Sequence, residues 1–93
     1  MNLEFLLQAE VWAILKELSW GDRFDRDLQV KVTEVKGSPD RFKEIKKRLT
    51  DMGLVYQLKG GKGSPYLALT YKGQEVVGRL IEAQEILESD NRE

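Results

Sequence analysis

A mainly α-helical domain carrying one small β-hairpin is the fold class that this 93-residue sequence predicts. Three observations lead there. Apolar residues recur at spacings of three and four along separate stretches, as in helices with a buried face. Two short runs rich in β-branched and aromatic residues flank a glycine-rich connection, as in a hairpin. The length suffices for one hydrophobic core and not for two, so residues 1–93 are read as a single domain.

The elements follow in order. Leu3 to Leu18 reads as one helix, with Leu3, Leu6, Leu7, Val11, Ile14, Leu15 and Leu18 on its stripe and Gly21 near its end. Phe5, Trp12 and Ala13 widen that stripe, so the helix is buried on more than one side. A second helix is expected from about Asp25 to Val35, with Asp25 as N-cap and Leu28, Val32 and Val35 on one narrow stripe. The β-branched run Val30, Val32, Thr33 and Val35 leaves a strand open there. Gly37-Ser38-Pro39-Asp40 is the clearest punctuation, a turn followed by an N-cap and a proline at the first helical position. The third helix, 39–52, has Phe42, Ile45, Leu49 and Met52 on its apolar face and is closed by Gly53. Residues 54–58 and 66–70 read as strands joined by a glycine-rich tip at 59–65. A last helix runs from Lys72 or Gly73 to about Leu87, with Val76, Leu80, Ala83 and Leu87 spaced like the seam of a helix pair.

The net charge of −1 conceals a strong asymmetry. Residues 1–35 carry −3, residues 36–72 carry +6 and residues 73–93 carry −4. Such a local field attracts polyanions although the whole chain is near neutral. The basic third coincides with the third helix and the hairpin.

Two short helices joined by a tight turn form a helix-turn-helix, and a hairpin directly after it makes the motif winged. The residues Trp12, Ile14-Leu15-Lys16-Glu17-Leu18, Gly21, Arg23-Phe24 and Leu28 are followed in order by Arg48-Leu49, Gly53-Leu54-Val55, Tyr66, Leu69-Thr70 and Lys72-Gly73. Over residues 11–82 this text resembles winged-helix transcriptional regulators of the MarR/PadR superfamily, most closely the HxlR type. The resemblance implies a homodimeric protein that binds double-stranded DNA. The HxlR type commonly carries a cysteine near its N-terminus. This chain has none, so thiol sensing is not implied.

At 100° per residue, Lys43 and Lys47 point away from the apolar face of the third helix, with Asp40 nearby. Ser38, Asp40, Lys43 and Lys47 are therefore the candidates for major-groove contact, where lysine donates to guanine and a carboxylate accepts from cytosine. Arg41, Lys46 and Arg48 flank them and suit phosphates. Lys59 and Lys62 at the glycine-rich wing suit the backbone or the minor groove. The wing joins two strands rather than a strand and a helix, so it is not a nucleotide-binding loop.

The chain ends supply a candidate dimer surface, about 1–10 and 74–88. It comprises Leu3, Phe5, Leu6 and Leu7 with Val76, Leu80, Ala83 and Leu87. Absent His and Cys, and with no convincing carboxylate pair, the sequence offers no enzyme site. The trio Asp22, Asp25 and Asp27 lacks calcium-loop spacing and reads as caps and solvated groups. No cofactor, metal, membrane span or signal peptide is expected, which points to the cytoplasm. Trp12, Trp20, Phe24 and Tyr66 read as core rather than as a ligand pocket; an effector is not legible. The near-zero net charge keeps open an alternative, a winged helix used for protein contacts in a transcription or processing complex.

Overall fold

A computed structural model describes residues 2–36, 39–61 and 63–89. The elements are α1 (Asn2–Leu6), α2 (Ala9–Trp20), β1 (Arg23–Phe24), α3 (Asp25–Lys36), α4 (Pro39–Asp51), β2 (Val55–Lys59), β3 (Pro65–Leu69) and α5 (Tyr71–Glu88). The three strands form an antiparallel sheet in the order β1-β3-β2.

The first expected helix is in fact two. Leu7 and Gln8 separate α1 from α2, and Gln8 takes an extended conformation. Continued straight, the helix would carry Phe5 and Leu6 roughly 130° away from the buried face made by Val11, Ile14, Leu15 and Leu18. The break turns both side chains into the core, where each is 3% exposed. Residues 25–36 are helical, resolving the strand alternative. Leu28 and Val32 are buried as expected, whereas Val35 lies in solvent. Asp25 begins α3 and is turned toward α4 and β2.

α4 buries Phe42, Ile45 and Leu49, with Met52 half-buried just beyond its end. β1 is an addition to the expected hairpin. Arg23 and Phe24 pair with Leu67 and Tyr66, and the Phe24 and Tyr66 rings meet edge to face at 6.2 Å. The hairpin strands are offset by one residue from the expected ones, since Lys59 pairs with Pro65, and the loop is 60–64. Gly63 sits there at φ +80, in the left-handed region that favours glycine.

One junction ties three elements. The Thr70 N–H donates to the Leu54 carbonyl at 3.0 Å, and the Thr70 hydroxyl donates to the Gly53 carbonyl at 2.6 Å. That hydroxyl also caps α5 by accepting from the Gly73 N–H at 2.9 Å. Lys72 Nζ donates to the Met52 carbonyl at 3.0 Å. Gly73 packs so closely that a Cβ there would lie 2.0 Å from the Leu54 oxygen. The end of α4, the start of β2 and the first turn of α5 are thereby locked together.

Among the described residues no helix is long and apolar enough to cross a membrane.

Candidate nucleic-acid interface

α4 is two-faced because its apolar residues recur at three and four, leaving the opposite side to charge. Lys43, Lys47 and Asp40 lie on that outward side, as the spacing predicts. Lys43 makes no hydrogen bond or ion pair among the described residues. Lys47 is 77% exposed and pairs with Asp51 one turn on, at 3.0 Å. An exposed pair of this kind is worth at most about 1 kcal/mol, so Lys47 remains available to a stronger anion.

The flanking cations are placed differently from their expected role. Arg41 is only 19% exposed; its Nε donates to Glu10 on α2 at 2.9 Å, and its terminal nitrogens bond Glu44 and Gln8. Glu10 is 2% exposed. Arg41 is thus an internal ion-pair partner rather than a free phosphate ligand, because a carboxylate taken out of water needs a fixed cation. Burial alone would lower the pKa of Arg41. The hydrogen bonds and negative charges of Glu44 and Glu10 outweigh it and raise the value. Lys46 is likewise committed, donating to Asp25 at 2.8 Å and to Gln57 at 3.3 Å. The guanidinium of Arg48 stacks on Phe5, 3.7 Å from the ring centroid, and its residue stays exposed.

The Lys46–Gln57 contact also orients the wing. Gln57 and Lys59 share one side of β2, since side chains alternate along a strand. α4 lies against the side that bears Gln57, so exposed Lys59 emerges on the same side of the sheet as α4. Ser38 and Lys62, also candidates, lie outside the described residues. Gly60 and Gly63 shape the loop through hydrogen bonds between Gly60 N–H and Ser64 O and between Gly63 N–H and Gly60 O.

The end segments need correction as a free surface. Phe5 and Leu6 are buried core residues, the Phe5 ring lying under the Arg41 and Arg48 guanidiniums of α4, and Val76 and Leu80 pack against the same core. Leu3, Leu7, Ala83 and Leu87 remain in solvent, Leu87 at 84%. Of the aromatic residues read as core, Trp12 is packed there, whereas Trp20 and Phe24 are exposed.

What sequence reasoning missed are the anionic partners Glu10 and Asp25. Glu10 had a signal: it stands four residues before Ile14, at the edge of the stripe made by Val11, Ile14, Leu15 and Leu18. A carboxylate in that position has to meet a cation from another element.

No protein-family model and no curated protein matches the chain. Solved structures do. RosR of H. salinarum superposes with a TM-score of 0.76 at 22% identity, covering 92% of this chain and 81% of that one. The homodimeric winged helix-turn-helix DNA-binding domain of a possible ArsR-family transcriptional regulator from Mycobacterium bovis gives 0.74 at 18%, covering 97% and 82%. A MarR family regulator from Neisseria meningitidis gives 0.71 at 20%, covering 92% of this chain and 61% of its own. The fold is therefore a winged helix-turn-helix. The likeness extends over several regulator families and does not single out the HxlR type.

Proposed function

We propose that this chain is a cytoplasmic transcriptional regulator that binds double-stranded DNA as a homodimer. α4 enters the major groove through Asp40, Lys43 and Lys47, and Lys59 with the wing follows the backbone or the minor groove. The observation that carries this reading is the outward placement of Lys43 and Lys47 on α4, with Lys59 on the same side of the sheet. Description of the M. bovis neighbour as a homodimeric DNA-binding domain supports it. So does the text resemblance of residues 11–82 to the MarR/PadR superfamily. Two helices held about 34 Å apart across a two-fold axis would read a palindromic site.

Dimerisation in this reading uses the distal part of α5. Its buried stripe continues past the body of the domain to Ala83 and Leu87, which the protomer leaves uncovered. Leu3 and Leu7 of α1 extend the same kind of surface.

Fluorescence anisotropy of a labelled duplex at 50 and 200 mM salt tests the reading. With three cations per subunit on phosphates, the slope of log K against log salt is expected near −5 for the dimer, at about −0.9 per phosphate. Absent or salt-insensitive binding overturns it. One observation favours the protein-contact reading instead: Arg41 and Lys46 are spent on internal carboxylates, which thins the positive face. The same salt series separates the two.

A further inference from the structure

The C-terminal end of α2, the outer face of the sheet and one flank of α5 enclose a cleft of about 600 Å³. That size falls within the usual range of small-molecule sites. Trp20 and Tyr56 supply its two aromatic rings, Ala68, Val77 and Ile81 supply apolar wall, and Asp22 supplies the only formally charged side chain in its lining. Trp20 is 81% exposed and Tyr56 is also exposed, so neither ring is there to complete the core. Exposed aromatic rings gathered around a concavity are the ordinary sign of a recognition surface.

The one formal charge in the cleft lining is negative. No lysine or arginine lines the cleft. α2 ends at its edge, capped by Gly21 whose N–H donates to the Leu18 carbonyl, so the negative end of the helix dipole borders the opening. Arg23 borders the cleft beside Gly21, its guanidinium paired with Glu17 at 3.3 Å and bonded to the Asp22 carbonyl at 3.1 Å, so its charge is offset by Glu17. Ring faces, a carboxylate and a helix C-terminus all favour positive charge.

We infer that this cleft binds a lipophilic organic cation, an onium or protonated amine carrying aryl groups, between Trp20 and Tyr56 with its charge toward Asp22. None of the groove candidates on α4 borders the cleft. The inference therefore stands or falls separately from DNA binding.

Equilibrium dialysis of the full chain against tetraphenylphosphonium and against tetraphenylborate, ions of the same shape and opposite charge, tests it. The expected result is saturable uptake of one phosphonium per chain, with the borate bound at least about tenfold more weakly. Trp20→Ala should weaken phosphonium uptake about tenfold, and Asp22→Asn about threefold or more. Both side chains lie at the surface, and circular dichroism verifies that the variants stay folded. No uptake, equal uptake of the two ions, or uptake that survives Trp20→Ala overturns the assignment. So does uptake that falls as protein concentration rises, because a second copy of the chain would then be filling the cleft.

Discussion

Arg41 of α4 and Glu10 of α2 meet at 2.9 Å, and Glu10 is all but sealed from solvent. Phe5 completes the arrangement: the Arg41 guanidinium lies 5.9 Å and that of Arg48 3.7 Å from its ring centroid. The pair joins residues thirty-one positions apart and ties α4 to α2. Its role is architectural. A cation that the chain's own chemistry holds so firmly is withdrawn from any polyanion.

Arg41→Met should destabilise the protein by about 1–3 kcal/mol, because it takes a hydrogen-bonded cation away from a buried carboxylate. Adding Glu10→Leu should bring stability back to within about 1 kcal/mol of the parent, since an apolar pair needs no compensation. Urea unfolding followed by circular dichroism measures both. Arg41 has its pKa raised by folding. Its contribution is complete below the ordinary arginine value and is lost only as pH rises through the raised one. Alkaline titration to about pH 10 should therefore leave that contribution unchanged.

The lysines of α4 should divide into two kinds. Lys43→Ala with Lys47→Ala should leave stability within about 0.5 kcal/mol. In the same variant duplex affinity should fall by about 1–3 kcal/mol per lost base contact, and discrimination between duplex sequences should relax. Lys46→Ala should instead cost about 1–2 kcal/mol of stability, because Asp25 would keep only the Gln57 amide. Thermal melts and the anisotropy series read the two effects apart. A loss of duplex affinity from Lys46→Ala larger than that from the double variant would contradict this division.

How far was this visible in the residue order? α4 was, almost completely, because Phe42, Ile45 and Leu49 announce one face and Lys43 and Lys47 the other. The hairpin was legible to within one residue at each strand, since β-branched and aromatic runs around glycines have few other solutions. β1 was not: two residues, Arg23 and Phe24, become a strand only because β3 offers them an edge. Nor was the break at Leu7-Gln8, where no proline or glycine marks the spot and the demand comes from the core. The internal partners of Arg41 and Lys46 are not legible in the residue order, for a common reason. Helical geometry says which way a side chain leaves its own helix, but nothing about a carboxylate arriving from another one.

Two glycines of α5 should respond in opposite ways to the same change. Gly73→Ala should lose 3 kcal/mol or more, about the upper end for overpacking, because the new carbon meets backbone rather than a yielding side chain. Gly78→Ala has open space around it and should stabilise by about 0.5–1 kcal/mol, as expected for an exposed helical site. Denaturant midpoints of the two variants give the comparison directly.

Leu87→Asp should leave the protomer's own stability nearly unchanged, within about 0.5 kcal/mol, since the side chain touches little of its own chain. In sedimentation velocity at micromolar concentration the parent should run as a dimer and the variant should shift toward monomer. A parent that sediments only as a monomer would remove the proposed use of distal α5.

The junction of Gly53, Leu54, Thr70 and Gly73 has a mechanical meaning. Its bonds give α5 no swivel of its own at the base. Tilting the far tip would drag the chain around Met52 along, through Lys72, and with it the tail of α4. A lever of this kind would carry a tilt at its tip to the angle at which Lys43 and Lys47 are presented.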